Sequence, residues 1–179
     1  MAKSPNASTS KPRTQTTRID GARVRLVTDA NGKVTLKPAP IEEWLLQAAA
    51  VRALKAMPEY AARADDVASN NNAGRVSFTL AGDMNGDYRS KRAAVKAKAT
   101  GIAAGDPDLR LYLPNGTLRM IEYKNAEGRP TASQKERHPL LAALGFPVEI
   151  VKVKTEGEAA SRTVELVRGW LADIVDNAA

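Results

Sequence analysis

Residues 22–38, ARVRLVTDANGKVTLKP, alternate apolar and polar positions on both sides of Asn31-Gly32. A period of two with a turn-prone dipeptide at its centre predicts a β-hairpin. Two strands alone are marginal, so this hairpin needs the main domain or a second copy to dock against. Pro38 and Pro40 end it, and the period then lengthens. In IEEWLLQAAAVRALKAM, the residues Ile41, Trp44, Leu45, Ala48 and Val51 make an apolar stripe at helical spacing, with Glu43 and Gln47 on a neighbouring face and Pro58 as the stop. RADDVASNNNAG reads as a polar connection, RVSFTL as a short strand and AGDMNGD (81–87) as a flexible loop. That loop alternates Asp83, Asn85 and Asp87, but its glycine is misplaced for a calcium loop and no glutamate closes it.

The second half continues the alternation. YRSKRAAVKAKATG predicts a basic helix carrying Lys91, Arg92, Lys96 and Lys98, stopped by Gly101. Strands follow near 107–113 and 118–124. RPTASQKERHPLLAALG starts a helix with Thr131 and Gln134 at capping-box spacing and Gly145 beyond its end, while Pro139 splits or kinks it. PVEIVKVK is another strand, and Val164, Val167, Leu171 and Ile174 space a last helix. The predicted class is α/β with a mixed central sheet flanked by helices. We divide the chain into a disordered basic tail (1–20), a hairpin (21–38), a main domain (39–155) and a C-terminal helix (156–179).

Composition narrows the chemistry. Hydrophobic residues make up 43% of the 179 residues but aromatics only 4%, so Ala, Leu, Val and Ile must build the core. A net charge of +7 favours a polyanionic partner, nucleic acid first. With no cysteine, disulfides, zinc–thiolate sites and a thiol nucleophile are excluded. No stretch has the length of a membrane span, and MAKSPNASTSKPRTQTTRID lacks the apolar run of a signal peptide. The expectation is an intracellular, cytoplasmic protein that neither enters a membrane nor is secreted.

The candidate chemistry lies in GDPDLRLYLPNGTLRMIEYK, residues 105–124. Glu122 and Lys124 share one face of a strand. A two-residue Asn115-Gly116 turn would pair Asp108 with Tyr123 and put the aspartate on the wrong side. A three-residue loop shifts the register by one and brings Asp108 to the face of Glu122 and Lys124. The alternation of Leu109, Leu111 and Leu113 against Asp108, Arg110 and Tyr112 favours the second register. Clustered carboxylates repel unless a cation joins them, and an all-oxygen set selects Mg²⁺, with Mn²⁺ able to substitute. Such an ion clamps a phosphodiester and acidifies a water, with Lys124 placed to orient the nucleophile or meet developing charge.

Pro107-Asp108 followed by Glu122-Tyr123-Lys124 resembles the PD-(D/E)xK nuclease superfamily, and more closely its VRR-NUC family. The likeness runs through Glu43 and Gln47, GIAAGDPDL, IEYKN and GRPTASQ…LLAALGFPVEIVKV, over roughly residues 41–154. It implies a restriction-endonuclease-like core in which Glu43, Asp108, Glu122 and the backbone carbonyl of Tyr123 hold the metal. Lys124 is then the catalytic lysine, and Gln134 contacts the phosphate, steadies the site or caps its helix. Glu42 competes with Glu43 for the helix position, but Glu43 has the four-residue spacing to Gln47. The DNA-contacting set is Gln47, Arg75, Lys91, Arg92, Lys96, Lys98 and Arg129. Small stand-alone proteins of that family act as homodimers on branched DNA in the manner of junction resolvases, so the resemblance implies a homodimer of bacterial or phage type. The expected function is therefore a Mg²⁺-dependent DNA endonuclease selective for branched DNA.

Other readings stand beside these. Asp106 adds charge at the variable position of GxPD, holding metal or capping the turn without a catalytic part. His138 reads as a surface residue, the 91–98 helix as a solvated face or a DNA track, and Trp44 and Trp170 as core or interface. The rival functions are a non-catalytic nucleic-acid-binding module on a nuclease fold and a basic assembly protein.

Overall fold

The computed structural model describes residues 11–20, 22–83 and 91–177, without the side chains of residues 22 and 91–94. The expected loop at 81–87 falls mostly outside the described residues. The chain forms two compact units, one up to Pro40 and one from Ile41 onward.

The first unit is a three-stranded antiparallel sheet of β1 (Arg13–Ile19), β2 (Ala22–Thr28) and β3 (Val34–Pro38), in that order. The predicted hairpin is β2–β3, but Asn31-Gly32 does not make a two-residue turn. Thr28 pairs with Val34, so the loop covers 29–33, and Asp29 Oδ1 accepts the backbone N–H groups of Asn31 and Lys33, each at 2.9 Å. Residues 13–19, expected within a disordered tail, form β1 instead. Apart from Ile19, RTQTTRI is polar throughout and has no apolar period. β-branched threonine nonetheless suits a strand, and β2 supplies the backbone partners.

The second unit runs α1 (Glu43–Lys55), α2 (Ala64–Asn72), β4 (Thr79–Gly82), α3 (Lys91–Ala99), β5 (Leu109–Tyr112), β6 (Leu118–Asn125), α4 (Ala132–Ala143), β7 (Val148–Val153) and α5 (Glu156–Asp176). β4, β5, β6 and β7 lie side by side in chain order, antiparallel except for β7, which is parallel to β6. The class is α/β with a mixed sheet.

Leu46, Ala50 and Leu54 of α1 and Ala159, Val167 and Leu171 of α5 pack with Leu109, Leu111, Ile121, Tyr123, Val151 and Val153 from one face of the sheet. The buried α1 stripe is therefore Leu46–Ala50–Leu54; of the predicted stripe Ile41 and Val51 pack partly buried against this core, while Trp44 is 59% exposed. The wheel positions of Trp44 and Leu46 differ by half a helical turn, and the bulk of Trp44 misled the choice. Its indole N–H donates to Glu42 at 2.9 Å. Trp170 does pack against the core, with the Arg119 guanidinium 5.7 Å from its ring centre. α5, separated from the main domain in the sequence reading, belongs to its core, and Thr163 Oγ1 bonds Tyr123 Oη at 3.0 Å.

Two further elements depart from expectation. The polar stretch 63–74 contains α2, whose start is held by Asp66 accepting the N–H groups of Ala62 and Arg63 at 2.9 Å each. Pro139 sits inside α4 without splitting it, although it removes one intrahelical donor. The predicted capping box of α4 is present: Thr131 Oγ1 accepts from Gln134 N–H at 3.2 Å, and Gln134 Oε1 accepts from Thr131 N–H at 2.9 Å. Among the described residues no helix is long and apolar enough to cross a membrane.

Candidate active site

The register of β5–β6 decides the site. Tyr112 pairs with Leu118 and Leu109 with Ile121, and Leu113 N–H bonds Thr117 O at 2.9 Å, so the loop is Pro114-Asn115-Gly116. Asn115 and Gly116 take φ of +59° and +70°, where glycine and asparagine are least strained. This is the three-residue register, and it carries Asp108 to the position opposite Glu122. Leu109, Leu111 and Leu113 are buried, while Tyr112 faces solvent.

Asp108, Glu122, Lys124 and Glu43 consequently meet. Lys124 Nζ donates to Glu122 Oε1 at 2.6 Å and to Glu43 Oε2 at 3.0 Å. Glu43, in the first turn of α1, also accepts Asn125 N–H on Oε1 at 3.1 Å. Asp108 Oδ2 accepts Tyr123 N–H at 2.8 Å. Gln134 Nε2 donates to Glu122 Oε1 at 2.6 Å, so this residue caps α4 and holds Glu122 at once. Glu122 Oε2 is buried and accepts no hydrogen bond.

Close approaches fix these parts. A Cβ on Gly128 would run into Glu43 Oε1 and lie 3.1 Å from Lys124 Cδ. A Cβ on Gly105, at φ +83°, would lie 2.6 Å from the Ser133 carbonyl carbon, so the turn before Asp108 presses against the first turn of α4. At Gly105, where the obstacle is backbone and φ is positive, only glycine permits the contact; at Gly128 a side chain would displace the Glu43 carboxylate.

Among the described residues the groups are unbalanced: three carboxyls share one ammonium. Burial, then the neighbouring charge of Glu122, pushes the Asp108 carboxyl up to about 7, against the opposing Tyr123 N–H and Lys124. Burial also raises Glu122, opposed by its hydrogen bonds to Lys124 and Gln134. For Lys124, burial acts downward, but the hydrogen bonds and charges of Glu122 and Glu43 outweigh it and the ammonium is held above its usual range. The lysine is therefore a permanent cation and a hydrogen-bond donor.

The other candidate residues divide. Gln47 does not point outward to a partner: its Nε2 donates to the Asp108 carbonyl at 2.6 Å, bracing the aspartate's backbone. Arg75 is not brought to the site. It precedes Phe78 at the Tyr112 end of β4–β5, opposite Asp108, and bonds Asn70 Oδ1 at 3.2 Å. Arg129 is exposed on the loop just after Gly128. Lys96 and Lys98 are exposed on α3, whose expected stop at Gly101 is present at φ +83°. The side chains of Lys91 and Arg92 lie outside the described residues.

His138, expected at the surface, is a partly buried neighbour of the cluster. Its side chain is 13% exposed, and Nε2 lies 4.0 Å from Glu122 Oε2 without a hydrogen-bond partner. Burial lowers its pKa, against a hydrogen bond with the Gly105 backbone, so the ring is neutral at pH 7. The signal was available: Gln134, His138 and Leu141 have helical spacing along one face. Asp106 is bonded at 2.6 Å by both Arg110 and Arg137.

A cavity of about 790 Å³ opens elsewhere, lined by Ala61, Val67, Phe78, Tyr112, Leu113 and Ile174 among others. Its lining holds no carboxylate, so size and chemistry point to different places, and the titratable groups decide for the cluster.

Fold and cluster together define an α/β protein with a buried carboxylate–lysine site built on an antiparallel strand pair. No protein-family model, curated protein or solved structure matches the chain.

Proposed function

We propose that this protein is a metal-dependent DNA endonuclease of the PD-(D/E)xK type, with Asp108, Glu122 and Lys124 as its centre. The observation that carries the reading is the ratio of three carboxyl groups to one ammonium among the described residues, with Asp108 pushed up to about 7 and Glu122 Oε2 buried without a hydrogen bond. A structural ion-pair network would balance its charges. The order α1, β4, β5, β6, α4, β7 also supports the restriction-endonuclease-like core that the sequence resemblance implies.

Among the described residues no three His, Asp or Glu side chains converge closely enough to hold an ion alone. The donor set nevertheless suits Mg²⁺ or Mn²⁺: hard oxygens only, net negative, with one buried oxygen unused. Asp108 and Glu122 would hold the ion, helped by the Tyr123 carbonyl and by Glu43. When bound, a divalent cation supplies Lewis-acid polarisation of a phosphodiester. The chain's own residues do the rest. Gln134 and Lys124 both bond Glu122 Oε1 and leave Oε2 facing inward. Gln47 fixes the Asp108 backbone. Lys124, protonated throughout, donates to charge developing on the phosphate. Neutral His138 is placed to accept a proton beside Glu122.

The pairing of Lys124 with both Glu43 and Glu122 favours a second reading, a binding module whose lysine neutralises the cluster permanently. Cleavage of a labelled four-way junction beside a linear duplex, with Mg²⁺ or Mn²⁺, separates the two. Nicking that disappears in Lys124→Ala supports the nuclease, and nicking of the junction alone supports branched-DNA selectivity. DNA binding without cleavage in either metal leaves the module.

A further inference from the structure

Of the chain's net charge of +7, residues 1–40 contribute +6, from eight Lys and Arg against two Asp. The rest of the chain, with the candidate active site, is almost neutral. The basic character that suggests a polyanionic partner therefore belongs to the first unit.

The strand register shows how that charge is arranged. Cross-strand partners in an antiparallel sheet share a face. One face has the rows Arg18–Arg23, Thr16–Arg25–Lys37 and Thr14–Val27–Thr35. The opposite face has Thr17–Val24–Pro38, Gln15–Leu26–Leu36 and Arg13–Thr28–Val34. Four cations, three threonines and no carboxylate occupy the rows of the first face. Two of its pairings, Arg18 with Arg23 and Arg25 with Lys37, set cations directly opposite each other. Arg18, Lys37, Thr14, Thr16 and Thr35 are exposed, and Arg23 is tied to the Pro40 carbonyl at 3.0 Å.

We propose that this cationic, threonine-bearing face of the N-terminal sheet binds the phosphate backbone of double-stranded DNA. Arginine, lysine and hydroxyl side chains are the groups that contact phosphates without reading sequence. Residues 1–40 contain no Phe, Tyr or Trp. Single-strand binding relies on aromatic platforms for base stacking, so duplex is the partner this surface fits. The inference deepens the nuclease reading: the first unit tethers substrate, and the second, nearly neutral unit acts on it at a raised local concentration.

The test is fluorescence anisotropy of the full-length protein with a short labelled duplex in chelator, so that no cleavage is required, across a salt series. The triple variant Arg18→Gln/Arg25→Gln/Lys37→Gln is compared with a charge-matched triple in the second unit, Lys55→Gln/Lys154→Gln/Arg162→Gln. Each lost phosphate contact lowers the slope of log K against log salt by about 0.9, so the N-terminal triple weakens binding on the order of a hundredfold at about 0.1 M salt. The control triple loses only a few-fold. Arg18→Lys/Arg25→Lys retains binding, because charge and not shape carries it. A loss no greater than the control's, or equal losses in the Gln and Lys variants, overturns the proposal. Single-stranded DNA bound as tightly as duplex overturns the duplex assignment. Binding lost with metal-dependent cleavage intact at low salt defeats this inference alone, whereas intact binding without cleavage defeats the nuclease reading alone.

Discussion

Asp106 and Asp108 stand on one short turn, yet their surroundings treat the two charges in opposite ways. Asp106 receives two guanidinium groups, from Arg110 and Arg137, each at 2.6 Å. Asp108 receives one backbone N–H, faces Glu122 and shares a single lysine with two other carboxylates. The first arrangement is complete and ties the turn to α4. The second is short of positive charge, and burial makes the shortage expensive. A carboxylate matched by its neighbours holds structure together, and one left under-matched in a buried cluster is ready for a cation or a proton.

The contrast breaks most visibly at Lys124. Removing the ammonium that the cluster's described carboxyls share, Lys124→Ala, should lower cleavage on the order of a thousandfold. It should also destabilise the metal-free fold by about 3 kcal/mol, read from urea unfolding, because buried carboxylates are left without their cation. Unchanged stability would mean that the cluster is better hydrated than its burial implies.

Asp108→Asn tests the shortage itself. The folded carboxyl titrates near 7, against 3.8 ordinarily. Between these values the folded protein keeps a proton that the unfolded chain has lost. Stability of the metal-free protein should therefore fall as pH rises from about 4 to about 7 and level off above, a change of a few kcal/mol. Asp108→Asn should flatten that profile, raise the melting temperature at pH 8 by roughly 5–10 °C and abolish cleavage. Mg²⁺ should raise the melting temperature of the wild type at pH 8 and leave the variant unmoved. A wild-type profile that is flat from pH 4 to 7 would remove the basis of the comparison.

Asp106→Ala should behave differently. Loss of the double arginine clamp should cost about 1–2 kcal/mol with the Mg²⁺-induced shift in melting temperature preserved. If it eliminates the Mg²⁺ response as Asp108→Asn does, the two aspartates are one site. The smallest effect is expected at Thr131→Ala, where the lost cap should cost about 1 kcal/mol and reduce cleavage less than tenfold, Gln134 still reaching Glu122.

Much of the cluster was legible before any coordinates. Asp108, Glu122 and Lys124 stand at strand spacing, and the leucine alternation of β5 selected the register that brings them together. The Thr131–Gln134 capping box was equally plain, since it depends on residues three apart. Glu43 could be chosen over Glu42 only through its spacing to Gln47. What escaped notice lacked a local signature. β1 has no apolar rhythm and α2 almost none. Trp44 looked like core because it is large, and it is exposed because Leu46, Ala50 and Leu54 take the buried side of α1. His138 reads as a surface residue from sequence, although helical spacing from Gln134 places it beside Glu122.

The sequence alone determined the local chemistry: which segments alternate, where helices begin and end, which oxygen and nitrogen groups are available, and that nearly all the net charge lies in the first 40 residues. These are properties of neighbours along the chain, set by periods of two and 3.6 and by turn geometry. Tertiary structure alone decided how charge is compensated. It gave Asp106 two arginines and Asp108 none, turned Gln47 inward onto a carbonyl, tucked His138 beside Glu122 and enlisted α5 behind Tyr123. Pairing and desolvation depend on groups as far apart in sequence as Glu43 and Lys124, and no local pattern encodes the distance between them.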